Sequence, residues 1–172
     1  MSGIAWALGG TLWFLMTTTC AAWWQRVAAW PMPVVILVVF LSSRWSAPAV
    51  VILAMWLGYL MGLQDGMPVG HEVLAAVLMA LTMFVVTGRM IPQGAFSFAA
   101  LCLFATVVHE LMLWMLRLPQ STVSFADLMP ILGWRAGVTG CTGLVLYPVF
   151  IRISPSSGFD MSLPRARVMG VR

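Results

Sequence analysis

The chain has 172 residues, of which 62% are hydrophobic and 8% charged, with a formal net charge of +4. Soluble domains carry about 25% charged residues and must keep their own outside wetted, so this composition excludes an ordinary water-soluble fold. The nine basic residues are all Arg and are scattered along the chain, which excludes a nucleic-acid reader and fits membrane topology, where Arg placement sets orientation.

Six apolar stretches follow one another, at 4–24, 31–43, 47–63, 71–88, 95–116 and 131–151, separated by Pro, Gly, Ser and charge. The first has no basic residue before it and is too long for the apolar core of a signal peptide. The second is short. Pro31 and Pro33 suit a helix's first turn, and the run Ser-Ser-Arg-Trp at 42–45 interrupts it. Residues 31–63 therefore read either as two short or tilted spans or as a re-entrant hairpin. A hairpin that dips in and out changes the crossings by two, so both termini lie on one side in either case. That side carries Arg44, Arg89, Arg152, Arg165, Arg167 and Arg172, against Arg26, Arg117 and Arg135 on the other, which predicts cytoplasmic termini. The expected fold is an all-α integral membrane protein, about six short transmembrane helices in one bundle over 1–153. A polar, Arg-containing cytoplasmic tail follows at 154–172.

Catalytic and metal motifs are incomplete. His71-Glu72 and His109-Glu110 each begin the zinc-protease pattern of two His one helical turn apart with Glu as base. Ala75 and Leu113 stand where the second His belongs, and the chain has no other His. No Gly-x-Ser-x-Gly elbow is present. Cys20, Cys102 and Cys141 are isolated in apolar sequence and read as small buried hydrophobes. The expectation is a protein with no cofactor and no enzymatic activity.

Other residues carry sharper expectations. Glu110 lies about 10 Å inside the fifth stretch and Arg135 about 6 Å inside the sixth, measured from the same membrane face. An ionised carboxylate at that depth needs a partner or a proton. Glu110 is thus either neutral and hydrogen-bonded to backbone or His109, paired with Arg135 to fix helix register, or part of a transported-ion site. Small residues form two stripes, Gly58-Gly62-Gly66 and Gly133-Gly137-Gly140. Such faces let helices approach closely in lipid and mark either internal packing or a partner's helix. Trp23, Trp24, Trp30 and Trp45 suit an interfacial belt. Between the third and fourth stretches Asp65, Gly66, Pro68 and Gly70 spell a tight connection on the side away from the termini.

The run AMWLGYLMGLQDGMPVGHEVL at 54–74 resembles the central signature of the rod shape-determining protein MreD family: a Gly-spaced helix, an acidic residue, and a G-x-P-x-G turn opening the next helix. Gly58, Gly66, Pro68 and Gly70 fit that pattern. Residues 30–41, the acidic residue in 107–116 and Pro148 in 143–153 fall where the family tends to carry them, so the resemblance covers most of 30–153. One departure is clear. The family's usual Asp, four positions before the turn's first Gly, is Gly62 here, and Asp65 sits where the family often has Ser. The resemblance implies a non-enzymatic scaffold of the rod complex in the bacterial inner membrane, bound to an MreC-like membrane protein and to the machinery of peptidoglycan synthesis and cell shape. An alternative from another class is the substrate-binding membrane subunit of an energy-coupling-factor vitamin transporter, in which Glu110, Arg135 and Trp residues would line a ligand pocket.

Overall fold

The computed structural model describes residues 8–12, 15–16, 31–65, 68–89, 94–118 and 125–153. The described residues are helical with short connections, and none is in a strand. The helices are α1, described at 8–12 and 15–16, then α2 (Pro33–Ser42), α3 (Ala47–Asp65), α4 (Val69–Arg89), α5 (Ala95–Arg117) and α6 (Phe125–Ile153). Two of them, α4 and α5, are long and apolar enough to cross a membrane. The tail at 154–172, Trp23, Trp24, Trp30, Cys20 and Gly66 lie outside the described residues.

Two antiparallel hairpins make up most of the molecule. The α3–α4 and α5–α6 contacts are the most extensive, and α4 meets α5 along a lighter seam. The α3–α4 approach is set by glycine. A Cβ on Gly58 would stand 3.0 Å from the carbonyl oxygen of Glu72 and 3.0 Å from Cα of Val73, and one on Gly62 would stand 2.8 Å from Cα of Val69. Those neighbours are backbone and cannot swing aside, so only a residue without Cβ allows the helices this close. In the α5–α6 hairpin, Gly140 faces the Ala99 carbonyl and Gly143 faces Cys102.

Helix α2 is the centre of the bundle. Its ten residues PVVILVVFLS are apolar nearly all round, the pattern of a helix enclosed on every side, and Val34 to Ser42 are all buried. Pro33 sits in the first turn, where a missing N–H costs nothing. At the other end the hydroxyls of Ser42 and Ser43 donate to the carbonyls of Val39 (2.8 Å) and Phe40 (2.7 Å), and the chain turns through 43–46 into α3. Phe40 stacks on Phe150 with ring centres 4.8 Å apart and meets Phe98 edge-on at 6.3 Å, while the Arg44 guanidinium lies 4.8 Å over its ring. Thr87 donates to the Ser42 carbonyl at 3.3 Å. The α2 C-terminus therefore lies where α4 ends, α5 begins and α6 ends. Its N-terminus lies halfway along: the Met32 N–H donates to Thr139 Oγ1 at 3.2 Å, and Thr139 is in the middle of α6. Ten residues span about 15 Å, half of a ~30 Å hydrocarbon core.

Three boundaries differ from the sequence reading. The fourth helix opens at Val69, so Gly70 belongs to its first turn and only 66–68 are left for the connection. The last helix opens at Phe125, six residues before the expected 131, and carries Pro130 inside it. The second stretch forms a helix of ten residues, α2, that ends in the turn at 43–46 before α3.

Candidate functional site

At the end of the bundle opposite the α2 C-terminus, three helices bring ionisable side chains together: Glu72 from the first turn of α4, His109, Glu110 and Arg117 from the last two turns or so of α5, and Arg135 from the first half of α6. Placement by helix end is favourable. Glu72 lies at the positive end of the α4 dipole and Arg117 at the negative end of α5. Periodicity turns them inward. Glu72, Ala75, Ala76, Met79, Ala80 and Met83 form the buried stripe of α4, and Cys102, Ala105, Thr106, His109, Glu110 and Leu113 that of α5.

Two ion pairs tie the helices. Arg135 Nη1 donates to Glu110 Oε1 at 2.6 Å, joining α6 to α5. This is one of the three arrangements the sequence left open for Glu110, the pair with Arg135. Arg117 Nη2 donates to Glu72 Oε1 at 3.0 Å, joining α5 to α4. Between them His109 Nε2 stands 3.9 Å from Glu72 Oε2, both side chains fully buried. The arginine side chains keep about a third of their surface exposed, at 32% and 33%, so each reaches from the bundle interior towards its outside.

The cluster balances charge but not hydrogen bonds. Two carboxylates face two guanidiniums, yet both ring nitrogens of His109, Nε of Arg117 and Nε of Arg135 are buried with no hydrogen-bond partner. A buried polar group left so costs about 1–3 kcal/mol. Removing one member of a buried pair costs about 3–5 kcal/mol, because a lone charge remains. The arrangement can therefore fix helix register strongly while keeping unspent donors inside. No set of three or more His, Cys, Asp or Glu among the described residues is placed to hold a metal.

Neither Glu72 nor Arg117 was among the site residues expected from the sequence, where Arg117 served only to assign sides. Glu72 was weighed only as the second half of an incomplete His-Glu motif. The signal was present: the parity that puts Arg117 on the face away from the termini puts the start of the fourth helix there too.

The remaining sequence-selected residues divide. Gly58 and Gly62 sit in the α3–α4 contact and Gly140 in the α5–α6 contact. Of the two uses open to a small-residue stripe, internal packing holds for Gly58 and Gly62 but not for Gly133 and Gly137, where a Cβ on either meets nothing within 4 Å. The physical reason is rotation. Arg135 and Ala136 turn towards α5 and the core, and this carries 133 and 134 to the outside and leaves 137 half-buried beside open space. Asp65 closes α3, Pro68 precedes α4 and accepts the His71 N–H at 2.9 Å, and Gly70 has open space at its Cβ position. Cys102 and Cys141 are free thiols, the first buried and the second exposed, so the expectation of buried cysteine fails at 141. Comparison with known protein families, curated proteins and solved structures finds no match to this chain.

Proposed function

We infer that this chain is a multi-pass membrane protein of the bacterial inner membrane, with both termini cytoplasmic, and that it works as an MreD-like scaffold. It docks an MreC-like membrane protein and the peptidoglycan-synthesis complex through helix packing, without turnover. Support for the membrane reading comes from the outside of the bundle. Ile52, Leu63, Val85, Phe96, Met115, Trp134 and Val145 are large, apolar and exposed, and they come from four different helices. Water would penalise that surface and lipid does not.

The observation that carries the docking reading is the outer face of α6. Gly133 and Trp134 are exposed on it, Trp134 at 63%, half-buried Gly137 follows one turn on, and a Cβ on either glycine would meet nothing within 4 Å. Small residues beside a large aromatic make a surface on which another helix can lie close. The test is co-purification from membranes. Gly137→Leu should abolish recovery of a cell-wall synthesis partner while leaving the protein's own thermal unfolding unchanged. Equal recovery with wild type and variant would remove the α6 face from the proposal.

The vitamin-transporter reading draws on a different observation, the five polar side chains Glu72, His109, Glu110, Arg117 and Arg135 gathered in one place. Convergent polar groups are what a small-ligand site requires. Isothermal titration against a vitamin panel separates the two, since nanomolar binding to any member would favour that reading over docking.

A further inference from the structure

The two halves of the bundle are fastened in different ways. Where α4 ends and α5 begins, the enclosed helix α2 wedges the hairpins apart and binds them both, with Phe40 against Phe98 and Phe150 and Thr87 against the Ser42 carbonyl. That contact is mostly apolar, with its polar pair, Thr87 and the Ser42 carbonyl, hydrogen-bonded. At the other end α2 is no longer present, because it starts halfway along α6 at the level of Thr139. There α4 and α5 are joined by Glu72, with Arg117 on one oxygen at 3.0 Å and His109 near the other at 3.9 Å.

This fastening is incomplete in itself. Closed, it leaves His109 Nδ1, His109 Nε2 and Arg117 Nε buried without partners. Water entering the seam would satisfy all three, so hydration favours the open form in the same place where the ion pair favours the closed one. Within the α5–α6 hairpin Arg135 Nε is likewise without a partner, but there Gly140 and Gly143 hold α6 on α5 at Ala99 and Cys102, as Gly58 and Gly62 hold α3 on α4, and no such glycine contact fastens α4 to α5 among the described residues. Arg117 is also the member that can leave, since its side chain is already a third exposed, whereas Glu72 and His109 are fully buried.

The geometry points to a latch: the Glu72–Arg117 pair holds the α3–α4 and α5–α6 hairpins together at one end of the bundle, and its release opens the α4–α5 seam to water as far as His109 while the α2 end stays shut. A water-filled cleft at that end is where a polar group of a ligand or a partner would enter. The latch stands on the intramolecular contacts alone and holds whether the chain scaffolds or transports.

Histidine C2 hydrogen–deuterium exchange, read by mass spectrometry on the full chain in lipid nanodiscs, tests it. The chain has two histidines, so half-buried His71 serves as the internal reference for His109. Arg117→Gln should speed exchange at His109 by about tenfold or more relative to His71, as expected when a buried pair loses one charge. The exchanged pair Glu72→Arg with Arg117→Glu should return it towards wild type. Alkylation of Cys102, which lies inside the α5–α6 hairpin, should stay as slow as in wild type. Should Arg117→Gln not be recovered folded, Arg117→Lys is read the same way, with a rise of about threefold for a charge kept but a hydrogen bond weakened. Unchanged exchange at His109 would overturn the latch. So would His109 exchange and Cys102 alkylation rising together, because that is general loosening and not the opening of one seam.

Discussion

Two glycine stripes of similar spacing meet opposite fates in this bundle. On α3, Gly58 and Gly62 are pressed against the backbone of α4. On α6, Gly133 and Gly137 have open space where a Cβ would stand, and only further along do Gly140 and Gly143 meet α5. The spacing says that one face of each helix is smooth. It does not say which way that face turns. On α3 the glycines share their face with buried Leu57 and Ala54, so smoothness and burial coincide. On α6 the inward direction is claimed by Arg135, which must reach Glu110, and Gly133 and Gly137, each two residues from it and so about 200° round the helix, are turned the other way.

The comparison can be broken most severely at Gly58. Gly58→Leu should cost about 3 kcal/mol or more, since its side chain meets backbone that cannot yield, and chemical denaturation in detergent should show it as a large fall in midpoint. A fall no larger than that of Gly137→Leu would mean that the two stripes are equivalent after all.

A second and smaller loss belongs to the ion pair that turns α6. Arg135→Gln should destabilise by about 2 kcal/mol, below the full value for a buried pair because a third of the arginine side chain is exposed. Glu110→Gln added to it should recover part of that loss. Strict additivity of the two substitutions in a double-mutant cycle would rule out coupling between α5 and α6 at this point.

The smallest effect should change sign. Gly133→Ala has open space for its methyl group and removes a flexible residue from a helix interior, so it should stabilise by about 0.5–1 kcal/mol. Gly62→Ala, whose methyl group would press on Val69, should destabilise in the same assay. Two identical substitutions with opposite signs would separate a stripe used within the chain from one left for its surroundings.

Helix number and order were readable from the sequence because hydropathy interrupted by Gly, Pro and charge marks spans without reference to packing. The Glu110–Arg135 contact was readable because depth along a helix is simple arithmetic once a face is assigned. Other features depend on contacts that no local pattern encodes. Pro130 looked like a boundary, yet α6 runs through it from Phe125. The shortness of 31–43 left its role open between a tilted span and a hairpin limb, and no local pattern placed the start of its helix level with Thr139. Glu72 was overlooked because its neighbour His71 drew it into a metal motif, while its position in the first turn of α4 was the more telling fact.

The enclosed helix has a consequence for the order in which the chain can be assembled. The run Val34 to Ser42 is buried throughout, and α2 touches α3, α4, α5 and α6, so it is enclosed on every side only when all of these are in place. A segment about 15 Å long cannot bridge a bilayer by itself, so during synthesis it has no independent resting position. It must wait, paired with α3 through the turn at 43–46, until the last helix emerges. The second element to be made is thus among the last to be fixed, and a chain cut short before Phe150 would lose the ring that stacks on Phe40 and, with it, the seat of a helix more than a hundred residues upstream.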